Sequence, residues 1–243
     1  MKKISYLEFQ VDILKVPAKV TREYRNNARV AFGKNEVLIR LPQTFSVSKD
    51  KELLDWAHKY LIHKYQNQPE AFERFKTVNY KEGYRIQSWK GEYKISLNRS
   101  DRKTLSAKTK DQNILLELPT EVPSDHPAIG KLMSRVMGKI HLPEVTKKVR
   151  TYNEKYFQQP LGKISMRNAA TRWGSCSSSK NISLSTRGLL APEYIFDHII
   201  IHELAHLIEM NHSPAFWKLV KKVDPNYKEK ETWLRDNGNS LQF

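Results

Sequence analysis

Between residues 195 and 208 the chain encodes a helix with no wet face: Ile195, Phe196, Ile199, Ile200, Ile201, Leu204, Leu207 and Ile208 cover nearly every side of a helical period. Such a helix has to lie in the middle of a folded domain, with other elements packed round it. The same stretch nevertheless carries His198, His202, Glu203 and His206. Polar and ionisable groups at that depth are costly unless something bonds to them, and a metal ion is a partner that imidazoles can share.

Residues four apart on a helix stack on one face, about 6 Å from each other, so His202 and His206 can point at a single ion. Glu203 lies about 100° further round, where a carboxylate can take a proton from metal-activated water without ligating the metal. A catalytic zinc uses three protein ligands and keeps one position open. His212 is the candidate third ligand. Asn211 tolerates a left-handed backbone and Ser213-Pro214 reads as an N-cap followed by proline at the first helical position, which puts His212 in a tight turn that can fold back. Glu209 would continue the file of His202 and His206, and three ligands in file cannot converge on a tetrahedral ion, so Glu209 is assigned an outer role. His198, one turn before His202, is read in the same way as lining the cleft. Arg172 either stabilises an oxyanion formed from a peptide carbonyl or braces its own loop. Cys176 either closes a four-ligand shell, which would silence the metal, or is a small thiol packed in a hairpin. Trp173, Phe216, Trp217 and Trp233 are read as core rather than as a binding surface.

Five segments in fixed order carry a family resemblance: Arg172-Trp173-Gly174-Ser175-Cys176-Ser177, Leu189-Leu190-Ala191-Pro192, the histidine motif itself, His212-Ser213-Pro214-Ala215-Phe216-Trp217, and Trp233-Leu234-Arg235. Together they resemble the YgjP-like zinc metallopeptidases, relatives of the SprT-like and WLM proteases. The resemblance is dense over residues 164–238 and looser before them. It implies a zincin-type peptidase with Zn2+ on His202, His206 and His212, Glu203 as catalytic acid and base, and a peptide or protein substrate pairing with a strand near Arg172-Trp173-Gly174. The chain departs from the family pattern at His198, where an aromatic residue is usual, and at Ser185-Thr186, where an asparagine-tryptophan pair is usual.

The formal net charge is +16 over 243 residues, and it is uneven. Residues 126–190 carry 12 basic and 2 acidic groups, whereas residues 191–243 carry 6 and 8. A positive field of this kind attracts nucleic acid or acidic proteins, and it equally serves as a hydrated surface without a specific partner. Two alternatives follow: a nucleic-acid-associated module with a structural zinc clip, or a peptidase working on proteins bound to DNA, as the SprT-like relatives imply. No apolar run approaches the length of a membrane span, and the start lacks a signal-peptide core. A single cysteine leaves no internal disulfide framework. These features describe a cytoplasmic protein without a membrane partner.

The expected fold is α+β: an antiparallel β-rich region with one helix over residues 1–120, then a zincin-like domain over residues 126–243 with a small sheet packed on the metal helix. A hairpin is expected at 29–32 and 36–41 about Gly33-Lys34-Asn35, a helix at 48–66, and strands at 85–89, 92–97 and 114–117. The three-proline stretch 119–127 reads as a linker. Helices are expected at 127–140 and 145–158, broken near Pro143, and strands at 164–166 and 182–184. No internal repeat is evident.

Overall fold

Alternation of apolar and polar residues builds the first part of the chain in the computed structural model, which describes residues 4–33, 36–43, 47–169 and 171–243. The chain divides into two units, Met1–Lys76 and Thr77–Phe243. In the first, β1 (Ile4–Val11), β2 (Leu14–Glu23), β3 (Arg29–Phe32) and β4 (Val37–Pro42) form a sheet in the order β1-β2-β4-β3. Every second side chain, Val16, Ala18 and Val20 on β2 and Val37, Ile39 and Leu41 on β4, is buried. That face shares a core with Ala57 and Leu61 of α1 (Val47–Asn67) and with Phe72 and Phe75 of the 3-10 turn that follows. Ile62, beside Leu61 on α1, is exposed. The expected hairpin is the antiparallel pair β3/β4, whose turn residues Lys34 and Asn35 lie outside the described residues.

The second unit begins with β5 (Arg85–Ser88), β6 (Gly91–Ser100), β7 (Ser106–Lys110) and β8 (Asn113–Pro119), in the order β5-β6-β8-β7. This sheet repeats the first, and the absence of an internal repeat expected from sequence is corrected here. Adding 77 to both residue numbers converts one set of strand pairings into the other: Val11↔Leu14 becomes Ser88↔Gly91, Ala18↔Val37 becomes Ile95↔Ile114, and Arg29↔Arg40 becomes Ser106↔Glu117. In each sheet two antiparallel hairpins meet along a parallel central pair. Arg22 Nη1 donates to Pro42 O at 3.4 Å, and Arg99 Nη1 repeats the contact with Pro119 O at 3.4 Å. What persists between the copies is the register and the alternation of buried positions, while few side chains keep their identity.

The sequence reading groups these strands with the first part of the chain. Their buried residues, among them Ile95, Leu116 and Leu118, share a core with Met133, Ile182 and Phe196 of the second unit. The two helices expected about Pro143 are one, α2 (Pro127–Tyr152), with Pro143 inside it, followed by a π-helical turn at Asn153–Phe157. Proline removes one backbone bond, but Val145 and Val149 beyond it are fully buried, and that packing carries the helix through. Then come β9 (Ile164–Arg167), β10 (Gly174–Cys176) and β11 (Ile182–Ser185), a three-stranded sheet in the order β10-β11-β9. Three helices close the unit: α3 (Glu193–Ala205), α4 (Pro214–Val223) and α5 (Tyr227–Asn237). The architecture is α+β with small sheets, and α3 is central, buried at Ile195, Phe196, Ile199 and Ile200. Among the described residues no helix is long and apolar enough to cross a membrane.

Candidate metal centre

α3 ends at Ala205, so its last turn positions the donors. His206 is the C-cap, and the chain tightens there through Leu207 N to Leu204 O at 3.0 Å and Ile208 N to Ala205 O at 3.1 Å. Glu209 therefore does not continue the helical file. Its backbone carbonyl accepts a hydrogen bond from His206 Nδ1 at 2.9 Å, which turns His206 Nε2 inward. Glu209 thus reaches His206 through its main-chain carbonyl. Beyond the turn, Ser213 Oγ accepts from Phe216 N at 3.2 Å and Pro214 opens α4, as the capping pattern predicts.

This turn brings His212 back to the helix. His202, His206 and His212 each offer a ring nitrogen, all within 4.8 Å of one another, and the Nε2 atoms of His202 and His212 approach to 3.0 Å. Zinc–nitrogen bonds in tetrahedral geometry put neighbouring nitrogens about 3.3 Å apart, so the set fits such an ion. Phe216 stacks on His206 at 4.4 Å between ring centroids and limits its rotation. Cys176 is not part of the donor group found among the described residues.

Glu203 is 5% exposed, and its Oε2 has no hydrogen-bond partner. A Cβ on Gly174 would lie 2.5 Å from Glu203 Cγ and Oε1, so only glycine lets β10 pass this close to the carboxylate. Burial pushes Glu203 up to about 8, against the opposing pull of the Arg172 guanidinium. Arg172 is exposed and lines the same cavity of about 430 Å³ as the histidines and Glu203. Arg187 lies 4.6 Å over the neighbouring Trp173 ring and bonds Leu241 O at 2.7 Å. Trp173, Trp217 and Trp233 pack against the core and Phe216 is fully buried within it.

His198 lines the cavity and is fully buried between two carboxylates, with Nδ1 2.8 Å from Asp224 Oδ2 and Nε2 2.8 Å from Glu231 Oε1. Lys230 Nζ holds the other Asp224 oxygen at 2.6 Å. Glu231 also stands 3.8 Å from His202 Nδ1, and its hydrogen bond with His198 holds its carboxyl below the usual range. Burial lowers His202 to about 4, with Glu231 pulling the other way. Sequence reasoning missed Glu231 and Asp224, and it did not foresee the contact of Gly174 with Glu203. The two carboxylates come from beyond the motif through tertiary packing, and no local spacing announces them.

Residues 26–237 match the sequence profile of the YgjP-like metallopeptidase domain, and the chain belongs to that family of metallopeptidases. Among solved structures, it is similar to the crystal structure of the metallopeptidase zymogen of Pyrococcus abyssi abylysin. The identity is 29% over 37% of this chain and 90% of that one, with a TM-score of 0.35. No curated protein matches significantly.

Proposed function

We propose that the protein hydrolyses peptide bonds with a zinc ion held by His202, His206 and His212 and with Glu203 as general base and then general acid. The observation that carries this reading is the meeting of three ring nitrogens beside a buried carboxylate that has an unpartnered oxygen. When bound, zinc supplies a Lewis acid that makes water a nucleophile near neutral pH and polarises the substrate carbonyl. Glu203, pressed against β10, takes the proton from the attacking water and passes it to the leaving amine. A dication beside it offsets the desolvation that raises its pKa, so the carboxylate is ionised when needed.

The other residues serve this centre. Glu231 places its negative charge 3.8 Å from His202 Nδ1 and so favours the tautomer that leaves Nε2 to the metal, while its hydrogen bond with His198 holds it in place. Arg172 faces the developing oxyanion from the cleft wall. Among the described residues β10 pairs only with β11, and its outer edge offers main-chain hydrogen bonds to an extended peptide.

A peptide-library digest tests the assignment. Zinc-loaded protein cleaves the library, and the Glu203→Gln variant keeps its zinc, measured by elemental analysis, but does not cleave. Cleavage by the variant refutes the role given to Glu203.

A further inference from the structure

At the β9 edge of the small sheet, away from the β10 edge beside the histidines, α2 and β9 enclose a second cavity of about 720 Å³. Its rim is cationic: Lys131, Arg135 and Lys139 rise along one face of α2 at four-residue intervals, and Arg167 of β9 stands opposite. All four are exposed, no acidic residue lines the cavity, and among the described residues none of the four takes part in an ion pair. No carboxylate stands three or four positions from Lys131, Arg135 or Lys139 in the sequence. Like charges at that spacing weaken a helix, so the fold itself gains nothing from this arrangement. In a concave wall they focus a positive potential.

The floor is different in kind. Leu142 and Met166 supply apolar surface, and the buried hydroxyls of Ser134 and Thr186 bond each other at 2.6 Å. Gly138 keeps the floor low, since a Cβ there would meet Thr186 Cγ2 at 2.9 Å. Cations on the rim above an apolar floor match a ligand that carries phosphates and a flat heterocycle together. An acidic peptide supplies the charge but not the flat apolar part.

We propose that this groove binds nucleotides, with phosphates on Lys131, Arg135, Lys139 and Arg167 and a base against Leu142 and Met166. The source is either a nucleoside polyphosphate or a stretch of single-stranded nucleic acid, whose unpaired bases are free to enter. The proposal stands apart from the peptidase reading, because none of its residues belongs to the histidine site.

Fluorescence anisotropy of the full-length protein with a labelled oligothymidylate, and in parallel with a fluorescent ATP analogue, tests it. The double variant Arg135→Glu/Lys139→Glu is compared with Lys221→Glu/Lys222→Glu on α4, an equal change of charge at exposed positions away from the groove. Circular dichroism melts establish that both variants fold. The groove variant should weaken binding at least about tenfold, and should make the salt dependence of oligonucleotide binding shallower by about 1.4 in log–log slope, while the control does neither. Binding of the oligonucleotide alone identifies nucleic acid as the source, and equal binding of the ATP analogue identifies free nucleotides. The inference is overturned if neither probe binds in 50 mM salt, if both variants weaken binding alike, or if polyglutamate competes as well as unlabelled oligonucleotide.

Discussion

Replacing Glu203 by glutamine should stabilise the metal-free protein, and by an amount that depends on pH. In the folded chain this carboxyl titrates at about 8 against 4.5 for the free group, because burial disfavours its charge. Below pH 4.5 folded and unfolded forms are both protonated and the site costs nothing. Above it the unfolded chain ionises freely and the folded chain does not, so stability is lost progressively until the pH passes about 8. At about 1.4 kcal/mol for each tenfold change in proton affinity, the loss between pH 5.5 and pH 8 is about 3 kcal/mol. Glutamine does not titrate, and every other group is common to the two proteins. The variant's advantage in urea unfolding after dialysis against chelator should therefore grow by about 3 kcal/mol over that interval. Zinc should shrink the growth, since a neighbouring dication favours the carboxylate. An advantage in metal-free protein that stays flat with pH would mean that residue 203 is solvated, and the reasoning that makes it a buried base would fail.

Other perturbations act on the supports of the centre. Gly174→Ala should lower kcat about 100-fold in peptide hydrolysis, because the new methyl group displaces the Glu203 carboxylate while the zinc content measured by elemental analysis stays unchanged. Glu231→Gln removes the negative charge 3.8 Å from His202 Nδ1 and should weaken zinc about 10-fold in competition with a chelating dye. His212→Ala should abolish stoichiometric zinc binding by isothermal titration calorimetry, and retention of wild-type affinity would exclude it as a ligand. Pro143→Ala restores a backbone N–H inside α2 at an exposed position and should raise stability by about 1 to 3 kcal/mol in denaturant unfolding.

The parts of this molecule that local chemistry dictates were readable from the chain. His202, Glu203 and His206 share one helix, and the Asn211 to Pro214 turn signals the return of His212, so three donors could be gathered from spacing and capping alone. The end of α3 was less legible, because tightening at Leu207 and Ile208 is decided by packing rather than by a proline or glycine. The continuity of α2 through Pro143 depends on the burial of Val145 and Val149 beyond it, which periodicity does not reveal. The repeat of the first sheet in the second was hidden for another reason. Val37, Ile39 and Leu41 become Ile114, Leu116 and Leu118, which preserves burial and register with a change of side chain at two of the three positions, and Arg40 between them becomes Glu117. Glu231 and Asp224 reach the centre from α5 and from the end of α4, and only the assembled tertiary structure brings them to His198 and His202.

The most direct test of the account is X-ray absorption at the zinc edge of the loaded protein, which reports the atoms around the ion. The account predicts three imidazole nitrogens at about 2.0 Å and one solvent oxygen. Sulfur scattering at about 2.3 Å, or a shell closed by four protein donors, would make the metal structural and would contradict it.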